Sequence, residues 1–426
     1  MINAGLLVFI VLVVLAFLGL PIYQAIAVGT MLAMSVGGFP LETMAQKTFL
    51  GLNSASLLSI PFFILAGNLM ARGITQKLIN VANVLLGRVR GALGSITVLA
   101  SALFGAISGS AVATVAAIGG MTIPAMKDEG YDENYASALA SASSLLGPMI
   151  PPSITLIVYA GLTDTSVQKM FIATLVPAVL CTLLFLAYTL WYGKKHNLPK
   201  QPKKTAREVF STLLDSIWAL LMPVIVLGLI FTGITTVTEA AAISCIYSAI
   251  IALFVYKTIK LKDLADILFV STISIAAIMI LVGMSKATAY VVISSQLPQL
   301  FMNFMTSITN SRFVTLLIIN VIFLILGCLM EGNCIIVMMV PLLLNLINAM
   351  NIDLLQFGIL AAINIYVGCI TPPVGVSLLL GCKLGKTELG KTFKAMLPFL
   401  IISLVILILV TYVPQFSLWL PSMISK

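Results

Sequence analysis

The sequence predicts an all-α polytopic membrane protein made of two inverted-topology repeats, each about five transmembrane helices plus one re-entrant helical hairpin. Three observations carry this. Of 426 residues 60% are hydrophobic and only 9% charged, whereas a soluble chain carries about a quarter charged residues. Two apolar stretches break in the middle into half-length helices. One glycine–proline motif, "GPMIPPSI" at Gly147 and "GCITPPVG" at Gly368, occurs twice.

Taken in order, apolar runs place crossings near 4–20, 22–37, 50–71, 134–163, 169–192, 217–234, 238–256, 265–285, 354–382 and 395–413. The opening "MINAGLLVFIVLVVLAFLGLP" has neither a basic start nor a small-residue cleavage site, so it reads as a retained first helix. The stretch 94–126 breaks at Ser108-Gly109-Ser110, and 313–350 breaks at Met330 to Asn333. Half-length helices around a small or polar turn suggest hairpins that enter and return on one side.

Charge tests that layout. With the N-terminus outside and both hairpins re-entrant, the inner segments hold Arg72, Lys77, Arg88, Arg90, Lys127, the six basic residues of "KKHNLPKQPKKTAR", Lys257, Lys260, Lys262, Lys383, Lys386, Lys391 and Lys394. That is 18 of 23 basic residues. Lys47, Lys169, Lys286, Arg312 and Lys426 stay outside. A full crossing at either hairpin would spoil this asymmetry. The net charge of +9 thus reads as a membrane-surface signal, with no aromatic-interleaved patch for nucleic acid.

The motif repeat divides the chain. Gly147/Gly368, Pro151/Pro372, Pro152/Pro373 and Pro177/Pro398 are each 221 residues apart; Gly67/Gly283 and Pro124/Pro341 are 216 and 217 apart. This gives a first repeat 1–193 (hairpin 94–126, broken helix 134–163), a basic linker 194–215, and a second repeat 216–426 (hairpin 313–350, broken helix 354–382). Five crossings per half is odd, so the second is inverted. Paired broken helices in inverted repeats point to a secondary transporter. Proline within a helix removes a donor and clashes with the preceding turn, at about 3 kcal/mol or more. A break in mid-membrane leaves carbonyls suited to a desolvated cation such as Na⁺, and half-helix N-termini suited to a carboxylate. A kink serving packing alone is the competing structural reading.

At these residues the chain resembles the large membrane subunit of tripartite ATP-independent periplasmic (TRAP) transporters, the DctM-like permeases. The likeness runs along essentially the whole chain. It is carried by "LLSIPFFILAGNLMARG" (57–73), "SGSAVATVAAIGGMTIPAMKDEGY" (108–131), "GPMIPPSI" (147–154), "TVTEAAA" (236–242) and "GCITPPVG" (368–375). The resemblance implies an elevator-type fold driven by two or more Na⁺ rather than ATP, in a bacterial inner membrane. It also implies a small four-helix membrane subunit and a periplasmic binding protein delivering an organic acid. By the same resemblance one cation site would use Ser108, Gly109 and Ser110 with Gly147, Ile150 and Pro151. The second would use Glu331, Gly332 and Asn333 with Gly368, Thr371 and Pro373; Ser108, Ser110, Asn333 and Thr371 would meet substrate. The wording of "GNLMARG" and of 108–126 leans toward the sialic-acid branch. A C4-dicarboxylate permease and a stand-alone Na⁺/dicarboxylate symporter are the alternatives.

Anion import needs such coupling. Moving one charge against 100 mV costs about 2.3 kcal/mol, so for a monoanion one Na⁺ neutralises the load and a second supplies net drive.

Other residues have plainer readings. Glu331 lies in an apolar surrounding, either functional or capping a half-helix. Thr236 and Glu239 fit a capping box. Ser108, Ser110 and Thr371 could bond back to their own helices. Residues 78–91 read as an amphipathic surface helix bracing a frame. "GCKLGKT" from Gly381 has one residue too few between its glycines for a phosphate-binding loop. The six cysteines sit singly, and His196 is the only histidine, so thiols stay reduced and no transition-metal site is expected. An enzyme is disfavoured by the lack of HExxH, GxSxG or paired aspartates in spans. An ion channel would pass current without saturating in substrate.

Overall fold

A computed structural model of the protein describes residues 3–201 and 205–424. Lys203, Lys204 and Lys426, which contribute to the charge pattern above, lie outside the described residues. Every regular element among the described residues is helical; the sole extended contact is an isolated bridge between Arg90 and Lys200.

Seven helices are long and apolar enough to cross a bilayer, and an eighth span arises if Glu133–Met149 and Ile154–Thr163, bent by 40°, count as one. Other expected crossings fall on shorter apolar helices, Ala4–Phe17, Ile22–Val36 and Ser59–Ala71 among them. The stretch 50–71 is not one crossing. Leu41–Leu52 and Ser59–Ala71 are separate helices, because Asn53, Ser54 and Ser56 offer the backbone local alternatives. Leu57 N–H bonds Ser54 O at 3.1 Å, and the Ser59 hydroxyl bonds Ser56 O at 2.5 Å. Conversely, 265–285 is only the centre of a 34-residue helix, Leu261–Ser294. Its sequence contains no proline, and its start is fixed by Lys260 N–H on the Asp263 carboxylate at 2.9 Å. The basic linker is shorter than 194–215: the preceding helix runs to Lys195 and the next starts at Ala206.

Two helices escaped the sequence reading. Gln415–Ile424 ends the described chain. Leu297–Ile308 is a 12-residue helix 222 positions after Thr75–Leu86, itself 12 residues long. The surface brace read at 78–91 therefore has a symmetry mate.

Both stretches expected as hairpins are helix pairs that break at the expected turns, but the arms of the second are not half-length: at 18 residues each, they are among the seven helices long enough to cross. The first has arms Ala92–Ser108 and Ala111–Asp128, the second arm interrupted by a π-helical turn at Val115–Gly119 just before Pro124. The second has arms Arg312–Leu329 and Gly332–Ala349, with Pro341 inside the latter. The broken helices are Glu133–Met149 with Ile154–Thr163, and Leu354–Gly368 with Val376–Gly385.

Their packing establishes the inversion. The end of the second broken helix lies beside the start of the first: Lys127 Nζ donates to Gly385 O at 2.6 Å, and a Cβ on Gly381 would collide with Ser141 Oγ. The end of the first lies beside the start of the second, with Tyr159 Oη donating to Leu354 O at 2.6 Å. The two broken helices therefore run antiparallel. Around them, Ile22–Val36 and Leu41–Leu52 pack on Leu261–Ser294, Ser59–Ala71 on Val237–Ile250, and Thr75–Leu86 on Ala206–Phe231. Burial varies widely among the spans: 78% of the apolar window of Gly332–Ala349 is buried, 50% for Val167–Lys195, 39% for Arg312–Leu329 and 28% for Ala206–Phe231. Hairpins and broken helices, with Val167–Lys195 and Leu389–Tyr412 packed on them, form an interior body, and the helices paired above form a frame.

Candidate functional site

The hairpin tips are shaped by small residues. Gly109 ends the first arm with φ +61°, and a Cβ there would lie 2.3 Å from Pro152 O. Only glycine lets the tip touch the break of the first broken helix. Ser110 then caps the second arm, its hydroxyl accepting from Ala113 N–H at 3.4 Å, while its carbonyl takes the Thr114 hydroxyl at 2.7 Å. Ser108 Oγ accepts from Ser110 N–H at 3.4 Å.

At the second tip Glu331 is the cap of Gly332–Ala349. Its carboxylate accepts from Asn333 N–H at 3.1 Å and from Asn333 Nδ2 at 2.7 Å. The capping reading of Glu331 thus holds, and the same side chain also faces the cavity described below. The second break is tied to its hairpin: Val374 and Gly375 N–H both donate to Cys328 O at 3.2 Å. At the first break no hydrogen bond among the described residues reaches the carbonyls of Ile150, Pro151 or Pro152. The Pro151-Pro152 and Pro372-Pro373 peptides are both cis.

One cavity of about 140 Å³ joins these four elements. The first hairpin contributes Gly109, Ser110, Ala111 and Val112; the second contributes Glu331, Gly332 and Asn333. The broken helices add Pro148, Ile154 and Thr155 from one repeat and Ile365, Tyr366, Cys369 and Val376 from the other. Ile278 of the frame closes a side. Tyr366 Oη and Ser153 Oγ meet at 2.8 Å, bridging the two broken helices. Asn333 is 6% exposed and its Oδ1 has no partner. A buried carbonyl oxygen left bare costs about 1–3 kcal/mol, so this arrangement fits a bound donor or cation. Its polar lining offers oxygen donors from hydroxyl, carboxamide and carboxylate groups beside the thiol of Cys369, and oxygen donors suit a hard cation.

Of the residues named from the sequence, Gly109, Ser110, Glu331, Gly332 and Asn333 line this cavity. Ser108, Gly147, Ile150, Pro151, Gly368, Thr371 and Pro373 stand behind it at the tips and breaks. Gly147 and Gly368 are points of backbone contact: a Cβ on Gly147 would meet Thr114 Oγ1 at 2.6 Å, and one on Gly368 would meet Gly327 Cα at 2.5 Å. The Thr371 hydroxyl bonds back to Val367 O at 2.8 Å. Sequence reasoning missed Thr155, Tyr366 and Cys369. Thr155 adjoins the break and was findable from it, whereas Tyr366 reaches the cavity only because the repeats interlock. Thr236 and Glu239 form the expected capping box, with Thr236 N–H on Glu239 Oε2 at 2.7 Å.

Antiparallel repeats, two broken helices and two hairpin tips around one shared cavity define a membrane carrier of the inverted-repeat class. The family described as "Tripartite ATP-independent periplasmic transporter, DctM component" matches residues 7–416, and the chain belongs to it. It is 38% identical over 383 residues to the C4-dicarboxylate TRAP transporter large permease DctM of Pseudomonas aeruginosa, covering 90% of each chain. It is 34% identical over 413 residues to the sialic acid TRAP transporter large permease SiaM of Vibrio cholerae, covering 96% of each. Among solved structures the fold resembles the YdaH transporter of Alcanivorax borkumensis, with a TM-score of 0.61 at 17% identity over 90% of this chain and 87% of that one. It also resembles MtrF of Neisseria gonorrhoeae, with a TM-score of 0.57 at 10% identity over 89% and 83%.

Proposed function

We propose that this permease imports an organic acid by Na⁺ symport, with hairpins and broken helices moving as one body against the frame. The observation that carries this is the single cavity shared by both tips and both breaks, with Glu331 and Asn333 on its wall. Ser108, Gly109, Ser110 and the unpartnered carbonyls of Ile150 and Pro151 would hold one cation near Gly147. Glu331, Gly332, Asn333 and Thr371 would hold another near Gly368 and Pro373. Ser110 and Asn333, with Thr155, would present hydrogen bonds to the acid. Two cations outweigh a monoanion such as N-acetylneuraminate against the membrane potential, whereas a dicarboxylate dianion would need a third for net inward drive. A small membrane subunit would brace the frame and a periplasmic protein would deliver the acid, in an inner membrane with the N-terminus outside.

Two substrate classes have support. The wording of 57–73 and 108–126 favours sialic acid. The cavity volume, about 140 Å³, favours a compact C4-dicarboxylate. The test is uptake of labelled N-acetylneuraminate and succinate into proteoliposomes holding the permease with its two partner subunits, with and without an inward Na⁺ gradient. Uptake of one acid that needs both Na⁺ and the partners is expected. Uptake without a Na⁺ gradient would sink the symport, and Na⁺-driven uptake by the permease alone would make it a stand-alone carrier.

A further inference from the structure

A second cavity, of about 460 Å³, opens between the frame and the interior body. Its frame wall carries Lys47, Lys286, Tyr290 and Ser294; its inner wall is Leu162 of the first broken helix with Pro341 and Leu344 of the second hairpin. Both lysines are half-buried, and neither makes an ion pair among the described residues. Lys47 Nζ lies 5.2 Å from the centre of the Tyr290 ring. Leu41–Leu52 is seated closely on Leu261–Ser294, since a Cβ on Gly51 would lie 2.8 Å from Gly283 O. Two half-buried lysines with no carboxylate partner among the described residues, set at a cavity between frame and interior, are suited to receive an anion.

Their place along the frame helix gives them a role. Ile278, on the wall of the central cavity, and Lys286 are linked through Val282 by two successive i,i+4 steps along one ridge of Leu261–Ser294. Eight residues of helix correspond to a rise of roughly 12 Å. The inner wall agrees: Pro341 stands eight residues beyond Asn333 in the same hairpin arm, again roughly 12 Å. If the interior body slides by that distance along the frame helix, toward its Ser294 end, the central cavity leaves Ile278 and comes level with Lys286. The device is one-sided. At the 216-residue offset relating Gly67 to Gly283, the counterpart of Lys286 is Met70, which is buried, and that of Lys47 is Asp263, which caps a helix.

We infer that Lys286, with Lys47 beside it, is the frame-borne half of the substrate site in the opposite state of the carrier, where it binds the carboxylate of the incoming acid. This rests on the symport reading above. In that state the acid meets cations from the frame and hydrogen bonds from the tips; after the slide only apolar Ile278 remains opposite it. Affinity is thereby higher at the face opposite the basic 194–207 loop, and release is favoured at the other.

The experiment compares the half-saturating concentration for transport from each face, in membrane vesicles of both orientations containing the complete complex. The probe is whichever of succinate or N-acetylneuraminate the wild type carries. Lys286→Gln should raise it about tenfold from the outer face, as loss of a focusing cation in a cleft does. It should leave the inner-face value and the maximal rate little changed, and Lys286→Arg should restore it. A second measurement needs no variant: acid added to the outer face should slow acylation of Lys286 by an amine reagent, read by peptide mass spectrometry. Equal effects from both faces, an unchanged outer value, or an unprotected Lys286 would each overturn the inference. So would protection given only by an anionic phospholipid. Failure of the wild type to transport either acid would instead count against the symport reading.

Discussion

Gly327 and Gly368 touch backbone to backbone: a Cβ on Gly368 would lie 2.5 Å from Gly327 Cα, and one on Gly327 would lie 3.1 Å from Gly368 Cα. Gly105 and Gly147 repeat the contact in the other half, with a Cβ on Gly105 falling 2.6 Å from Gly147 Cα. Each hairpin is thus seated on its broken helix by a pair of residues with no side chain to place between them. Gly147→Ala and Gly368→Ala should each destabilise the protein by about 1–3 kcal/mol, the usual cost of overpacking. Thermal unfolding of the purified protein in detergent checks this; an unchanged midpoint would show that the hairpins can separate from the breaks without cost.

Asn333 holds Glu331 through its amide nitrogen, and its buried Oδ1 has no hydrogen-bond partner among the described residues. Asn333→Ala removes a hydrogen bond to a charged group, worth about 1.5–3 kcal/mol, and a polar residue of the cavity lining with it. Uptake efficiency should fall roughly 10- to 100-fold. Measurement of kcat/KM at saturating Na⁺ decides it, and a change below twofold would remove Asn333 from the site.

Ser153 and Tyr366 join the two broken helices across the cavity. Tyr366→Phe and Ser153→Ala should each cost about 0.5–1.5 kcal/mol, the net worth of one such bond. The double variant should cost little more than either single one, because both remove the same interaction. Additive losses would mean that the two hydroxyls act separately.

Glu129, in the loop between the first hairpin and the first broken helix, has its pKa raised above the usual carboxylate value, chiefly by burial, although Gln201 donates to it. A carboxyl whose folded pKa is raised binds its proton more tightly in the folded state. The charged form therefore weakens the fold at neutral pH, and the penalty disappears as pH falls below the unfolded pKa. Glu129→Gln should raise the unfolding temperature at pH 7 and change it little near pH 4. A loss of stability at pH 7 would show that the carboxylate is needed in its charged form.

Much of this was readable in the chain. Composition alone demands a bilayer, since 9% charged residues cannot solvate a globule of this size. The motifs at Gly147 and Gly368, with prolines at the same offset, reveal the repeat because a helix interior rejects proline unless the break is used. The tips at Ser108-Gly109-Ser110 and Glu331-Gly332-Asn333 were legible because small and polar residues interrupt otherwise apolar stretches. Length was less legible: the turn at Asn53 to Leu58 and the extension of Leu261–Ser294 depend on local hydrogen bonds that hydropathy does not weigh.

The sequence by itself determined the class, the repeat and where the two proline motifs and the two hairpin turns break the helices, because those follow from local backbone chemistry in a solvent without hydrogen-bond partners. Only the tertiary structure decided which residues share a cavity. Tyr366 faces Ser153 from 213 residues away, and Ile278 and Lys286 gain meaning only from the surfaces that pass them. Such contacts arise from two antiparallel repeats interlocking, and no local pattern of residues records how one half will sit against the other.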